Sequence, residues 1–153
     1  QMQLLQKYVK QPLLVNQLQL GLAHSHMITQ GIHVNMMDEG GINRDGSVLD
    51  FCRLNDITVQ AWSPMQYGFF EGVFLGSDKY PELNQVINRI AEEKNVSPTT
   101  IAIAWIMRHP ANIQTIIGTT NTTRMLDSIK AGDIDLTRDE WYELYMAAGN
   151  ILP

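Results

Sequence analysis

Only three segments of this chain read as β-strands, and helical patterns separate them. Leu13–Leu20 (LLVNQLQL) starts as an apolar run and then alternates apolar with polar residues, the pattern of a strand buried on at least one face. Ile57–Ala61 and Thr115–Gly118 are shorter, with Ile116 and Ile117 central in the latter. Strands alternating with helices imply βα units and a parallel sheet. A complete (β/α)8 barrel needs about 250 residues, and the chain has 153. A lone three-stranded parallel sheet leaves unpaired backbone groups at both edges. The arithmetic therefore predicts a single α/β domain over 1–153, part of a larger fold and most simply the C-terminal part of a (β/α)8 TIM barrel.

The helices announce themselves by caps and periodicity. Met2, Leu4, Leu5, Tyr8 and Val9 space as a short helix within Gln1–Lys10, ending before Pro12. Ser47 reads as the N-cap of a helix through Asn55, with Val48, Leu49, Phe51 and Cys52 inward. Pro81 opens a helix whose Leu83, Val86, Ile87, Ile90 and Ala91 follow the spacing of one helical face. Ser97-Pro98 starts another, running to about Arg108, before Pro110. Asn121 or Thr122 caps a helix through Ala131, and Thr137-x-x-Glu140 is a capping box opening the last one, to about Ala148. Between Gly21 and Gly46 no period holds, and the stretch reads as an extended loop with room for short helical turns.

Composition narrows the function. A net charge of -5 argues against nonspecific nucleic-acid binding, which needs a basic face, and against a polybasic membrane patch. No apolar run approaches the roughly 18 residues of a membrane span. The single Cys52 excludes an internal disulfide and a multi-thiolate zinc site. A reducing, cytoplasmic location is expected. The chain begins at Gln1 rather than Met, which suits a processed chain or a piece of a longer one.

In parallel α/β folds ligands sit at the carboxyl ends of the strands. Those positions are Gln17 and Gln19 on the first strand, Trp62-Ser63-Pro64 after the second, and Gly118-Thr119-Thr120-Asn121 after the third. The last group leads into a helix with Arg124 on its first turn. Free N–H groups, hydroxyls and a guanidinium there suit a phosphate ester, and equally they describe a helix cap with a surface arginine. Trp62 offers either a ring face for a flat ligand or simple core packing. Gln17 either holds a ligand amide or bridges backbone groups. His24 and His26 lack a clear third ligand, so no metal site is expected. His109, before Pro110, and Cys52, on an apolar helix face, read as structural. Walker-type loops, G-x-G-x-x-G and a nucleophile elbow are absent.

The runs VNQLQL, QAWSPMQYG, TTIAIAWIMRHP, IIGTTNTTR and LTRDEWYELYMAAGNILP together resemble the aldo-keto reductases, most of all the bacterial branch of YdhF-type oxidoreductases. The resemblance covers nearly the whole chain, with the motifs in family order. It implies the C-terminal half of a (β/α)8 barrel that binds NADP(H) in extended form and reduces aldehydes or ketones by hydride transfer. It implies that Gln17 binds the nicotinamide carboxamide, that Trp62 stacks on the nicotinamide ring, and that Ser63, Met65 and the Gly68 loop meet the pyrophosphate. Gly118, Thr119, Thr120, Arg124 and Ser128 then surround the adenosine 2'-phosphate and adenine. Many relatives carry a lysine where Gly118 stands, which removes one phosphate contact. The family's catalytic Asp, Tyr, Lys and His lie on the first half of the barrel, so no catalytic residue is assigned here. The expected partners are a small-molecule carbonyl substrate and the missing N-terminal half of the barrel. A half-barrel that binds nucleotide, or assembles with another half without catalysis of its own, is the alternative. Phe69, Phe70 and Phe74 are expected to form an apolar rim to the substrate pocket.

Overall fold

The computed structural model describes residues 1–68 and 71–153. In chain order the elements are α1 (Met2–Gln6), β1 (Val15–Gln19), α2 (His26–Ile32), α3 (Val48–Leu54), β2 (Thr58–Trp62), α4 (Pro81–Glu93), α5 (Pro98–Met107), β3 (Gln114–Thr115), α6 (Thr122–Lys130) and α7 (Arg138–Ala147). The strands form one parallel sheet in the order β1-β2-β3, with Gln17 opposite Gln60 and Gln60 opposite Gln114. This is the three-stranded parallel sheet that the alternation of strands and helices predicts.

Side chains alternate across a strand, and the two faces of this sheet differ sharply. Leu20, Val59 and Ala61 point to the helices and are buried. Val15, Gln17 and Thr58 point the other way and are exposed. On that open face Gln17 Nε2 donates to Gln60 Oε1 at 2.8 Å, and Gln60 Nε2 donates to Gln114 Oε1 at 2.7 Å. One in-register ladder of amides thus crosses all three strands. The surface totals 9580 Å2, against roughly 7800 Å2 expected for a compact monomer of this mass.

The core lies on the helical side. Every residue of α5 from Thr100 to Ile106 is buried, so this helix is apolar all round and packed between the sheet and α4 and α6, with Trp105 reaching α7. Trp105 and Trp141 stack with centroids 4.9 Å apart, and each indole N–H donates to the other residue's carbonyl, at 3.1 and 2.9 Å. Burying two indoles without orphaned N–H groups is what this reciprocity achieves.

Several expectations needed correction. The first helix stops at Gln6 and buries nothing, because five residues with no partner cannot sustain a longer one. Ser47 stands at the start of α3 but is left-handed (φ 57°) and makes no side-chain cap; its hydroxyl accepts from Asn43 instead. The third strand is Gln114–Thr115, earlier than Thr115–Gly118, with the Ile116 amide adding one bond to the Ala61 carbonyl. The unreadable stretch holds a seven-residue helix, α2, and a short 3-10 turn at Glu39–Gly41. Long-range bonds hold α2: Ser25 and Thr29 hydroxyls donate to Asn150, and Tyr145 donates to Thr29. Phe74 is fully buried core rather than pocket rim; Phe69 and Phe70 lie outside the described residues. The caps by Ser97, Asn121 and the Thr137–Glu140 box form as read.

Candidate functional site

At the carboxyl ends of β2 and β3 the chain surrounds a cavity of about 500 Å3. Trp62, Ser63 and Met65 enter it from β2, and Gly118, Thr119, Arg124 and Ser128 enter from β3 and α6. Seven of the ten residues singled out in the sequence therefore meet around one space.

The local backbone explains the placement. β2 ends at Trp62, and Ser63 turns the chain in a left-handed conformation (φ 49°), which is uncommon for a residue other than glycine. Its carbonyl accepts the Gln66 amide at 3.0 Å. Residues 65–67 then pair back with 72–74: Phe74 N–H donates to Met65 and Tyr67 N–H to Gly72. The exit of β1 passes so close that a Cβ on Gly21 would collide with the Pro64 carbonyl. Only glycine permits that approach.

On the other side Asn121 Oδ1 accepts the Arg124 amide at 3.1 Å, and Thr119 Oγ1 accepts the Asn121 amide at 3.2 Å. These bonds fix the start of α6, with its positive dipole end near the cavity. The exposed Arg124 guanidinium makes no hydrogen bond or ion pair among the described residues. The nearly buried Ser128 donates its hydroxyl proton to the Arg124 carbonyl at 2.7 Å, leaving only oxygen lone pairs for a ligand. A Cβ at Gly118 would meet nothing within 4 Å, so the backbone there stands open.

Three singled-out residues stand apart. Thr120 is exposed and Gly68 sits beside the Glu71 side chain; neither lines the cavity. Gln17 is exposed, and its amide N–H already bridges to a neighbouring side chain, Gln60, rather than to backbone. It sits one layer below Trp62, which pairs in register with Gln19. Gln19 Nε2 is buried and has no hydrogen-bond partner among the described residues. Sequence reasoning missed Gln66, Val73, Leu75, Thr99 and Ile103, which complete the wall. Thr99 and Ile103 share a helix face, but α5 is so uniformly apolar that no period marks which face meets a ligand.

The histidines fall elsewhere. His24 and His26 rings lie edge to face at 4.7 Å, and no cluster of three or more metal-ligating side chains occurs among the described residues. Burial holds His24 below the usual imidazole range, with His26 adding to the effect. His109 Nδ1 accepts the Ala111 amide at 3.2 Å, a local backbone role. No helix among the described residues is long and apolar enough to cross a membrane.

The family model for the aldo/keto reductase family matches residues 30–147, and the chain belongs to that family. It is 30% identical over 146 residues to 6-dehydroglucose reductase of Agrobacterium fabrum, covering 95% of this chain and 42% of that protein. It is 25% identical over 137 residues to oxidoreductase YdhF of Escherichia coli, covering 89% of this chain and 42% of that one. Among solved structures it superposes on the thermostable aldo-keto reductase Tm1743 with a TM-score of 0.64 at 21% identity, over 95% of this chain and 43% of that one. A variant of Gox0644 in complex with NADPH gives 0.63 at 15%, over 95% and 42%. The chain spans less than half the length of these relatives, and the fold is the corresponding part of an aldo-keto reductase barrel.

Proposed function

We propose that this chain supplies the cofactor-binding part of an NADP(H)-dependent oxidoreductase that reduces aldehydes or ketones. The observation that carries this reading is the gathering of Trp62, Ser63 and Met65 with Gly118, Thr119, Arg124 and Ser128 around one cavity. The donor set fits the cofactor: an unpaired guanidinium and the Thr119 hydroxyl, which accepts from Asn121 and keeps its own proton, suit a phosphate, and the open backbone at Gly118 leaves room for it. Bound NADPH supplies the hydride. Arg124 holds the 2'-phosphate, with Thr119 and Thr120 beside it. Trp62 presents its ring to the nicotinamide, and the Gln17 carbonyl oxygen remains available to accept from the carboxamide. Ser63, Met65 and the Gly68 loop border the pyrophosphate path. The carbonyl-binding and proton-donating groups belong to the other half of the barrel, which covers the open glutamine face of the sheet. The protein acts on small molecules in the cytoplasm, and oxidised sugars head the carbonyl panel to assay because of the 6-dehydroglucose reductase relative.

The test is Arg124→Ala in the complete enzyme. A charge-assisted contact is worth about 1.5–3 kcal/mol, so NADPH affinity should fall at least tenfold while NADH affinity hardly moves. Equal loss for both cofactors sinks the phosphate role. The second reading, a nucleotide-binding half-barrel that assembles with another half without catalysis of its own, draws on the same exposed sheet face. A strictly monomeric, cooperatively folding 17.3 kDa species in sedimentation would count against it.

A further inference from the structure

A second cavity, of about 480 Å3, lies on the helical side of the molecule and shares no residue with the first. Four elements border it, α2, α3, the end of α5 and the start of α7, and it opens to solvent where its arginines stand exposed. Its apolar walls include Ile28, Leu49 and Trp141, with the Tyr142 ring set edge-on to Trp141 at 5.0 Å. Arg53, Arg108 and Arg138 also line it, against the single carboxylate of Asp50. In a chain of net charge -5 this is a concentration of positive charge.

Structural duties leave these guanidiniums with donors to spare. Arg108 gives Nε to the Leu136 carbonyl at 3.0 Å. Arg53 approaches Asp50 only at 3.9 Å. Arg138 lies over the Tyr142 ring at 5.7 Å. It is also the first residue of α7, at the positive end of the helix dipole, where a cation is disfavoured. The wall holds a second feature, the exposed Gly31, in the last turn of α2. It has no left-handed φ, and a Cβ there would meet nothing within 4 Å. Glycine weakens a helix relative to alanine, and neither backbone geometry nor packing asks for it here. It leaves this stretch of the cavity wall without a side chain.

We propose that this cavity is a second binding site, for a small organic acid with a flat apolar body, an aryl carboxylate. The volume is that of a small-molecule site. Guanidinium forks match a carboxylate, and Met27, Ile32 and the Tyr142 ring, partly buried over the Ile28, Leu49 and Trp141 floor, match the body. The site is independent of the nucleotide and does not rest on the reductase reading.

Calorimetric titration of the full chain with 2-naphthoate tests it, with and without saturating NADPH. Binding is expected in both conditions, and the neutral 2-naphthol should bind at least tenfold more weakly. Gly31→Phe, which adds a ring to the cavity wall at a position where a Cβ meets no atom within 4 Å, should weaken naphthoate at least tenfold while leaving the circular-dichroism melt intact. Arg53→Ala with Arg138→Ala should do the same. Naphthol binding as well as naphthoate overturns the proposal. So does displacement of naphthoate by NADPH, a folded Gly31→Phe chain that binds normally, or no naphthoate binding at all. Failure of NADPH itself to bind would fall on the reductase reading alone.

Discussion

On one face of the sheet Leu20, Val59 and Ala61 lie under α3, α5 and their neighbours; on the other Val15, Gln17 and Thr58 stand in solvent. The covered face is held by apolar burial, which is strong and indifferent to direction. The open face is tied by side-chain amides, which are directional and contribute little net stability in water. One sheet thus has a face that folds this chain and a face whose polar pattern serves whatever covers it. The difference in energy between the two should be large and measurable.

The largest expected effect is on the covered side. Trp105→Ala removes a fully buried indole, the ring it stacks on Trp141 and the hydrogen bond its N–H donates to the Trp141 carbonyl. It should cost about 3–5 kcal/mol in urea denaturation, and a loss under 1 would mean that the stacked pair does not organise this core. Next comes the seam between β1 and β2. Gly21→Ala drives a methyl into the Pro64 carbonyl and should cost about 1–3 kcal/mol. An unchanged melting midpoint would show that the two strand exits separate freely.

The third test concerns the clasp that holds the C-terminal tail on the covered side. His33 is buried, with Nδ1 2.8 Å from Asp38 Oδ2 and Nε2 2.6 Å from the Ile151 carbonyl. Both neighbours are acceptors, and only an imidazolium donates from both nitrogens. The hydrogen bond to Asp38, and then that to Ile151, raise the His33 pKa above its ordinary value of 6.5. The folded state therefore binds the proton more tightly. Its contribution is complete below pH 6.5 and disappears as pH rises through the raised folded value. Asp38, held low chiefly by the His33 hydrogen bond, loses its own contribution only as pH falls through the carboxylate range. Denaturation from pH 5 to 9 should show stability declining upward, and His33→Gln should flatten that decline. A slope that survives the substitution assigns it to another group.

The smallest effect belongs to the open face. Gln60→Ala cuts the amide ladder at its middle and should change stability by less than about 0.5 kcal/mol. A loss near that of Trp105→Ala would end the distinction between the two faces.

The covered side was largely legible in the sequence. Ser97-Pro98, Asn121 and the Thr137–Glu140 box are local signals, and local chemistry decides them. Leu83, Ile87, Ile90 and Ala91 line up on the buried face of α4 as their spacing demands. What escaped depends on distant partners. α2 has no legible cap or period, and its anchors, Tyr145 and Asn150, lie more than a hundred residues away. Ser47 failed as a cap because its left-handed backbone turns it from the helix. The cavity residues that follow strands, Trp62, Ser63, Gly118 and Thr119, could be named from position alone. Thr99 and Ile103 could not, since nothing local separates them from their apolar neighbours. Whether Gln17 holds a ligand amide or bridges other groups is not decided by its position in the strand, whose alternation puts it on the uncovered face.

The glutamine ladder has a consequence for handling the protein. Gln17, Gln60 and Gln114 stack across parallel strands as identical side chains do along an amyloid fibril. β1 ends the sheet with Leu14 and Val15 exposed beside that ladder. A chain left uncovered at high concentration therefore offers a ready template for in-register addition. Slow fibril growth, seeded at this edge and suppressed by a lysine at Val15, is the storage failure to watch for.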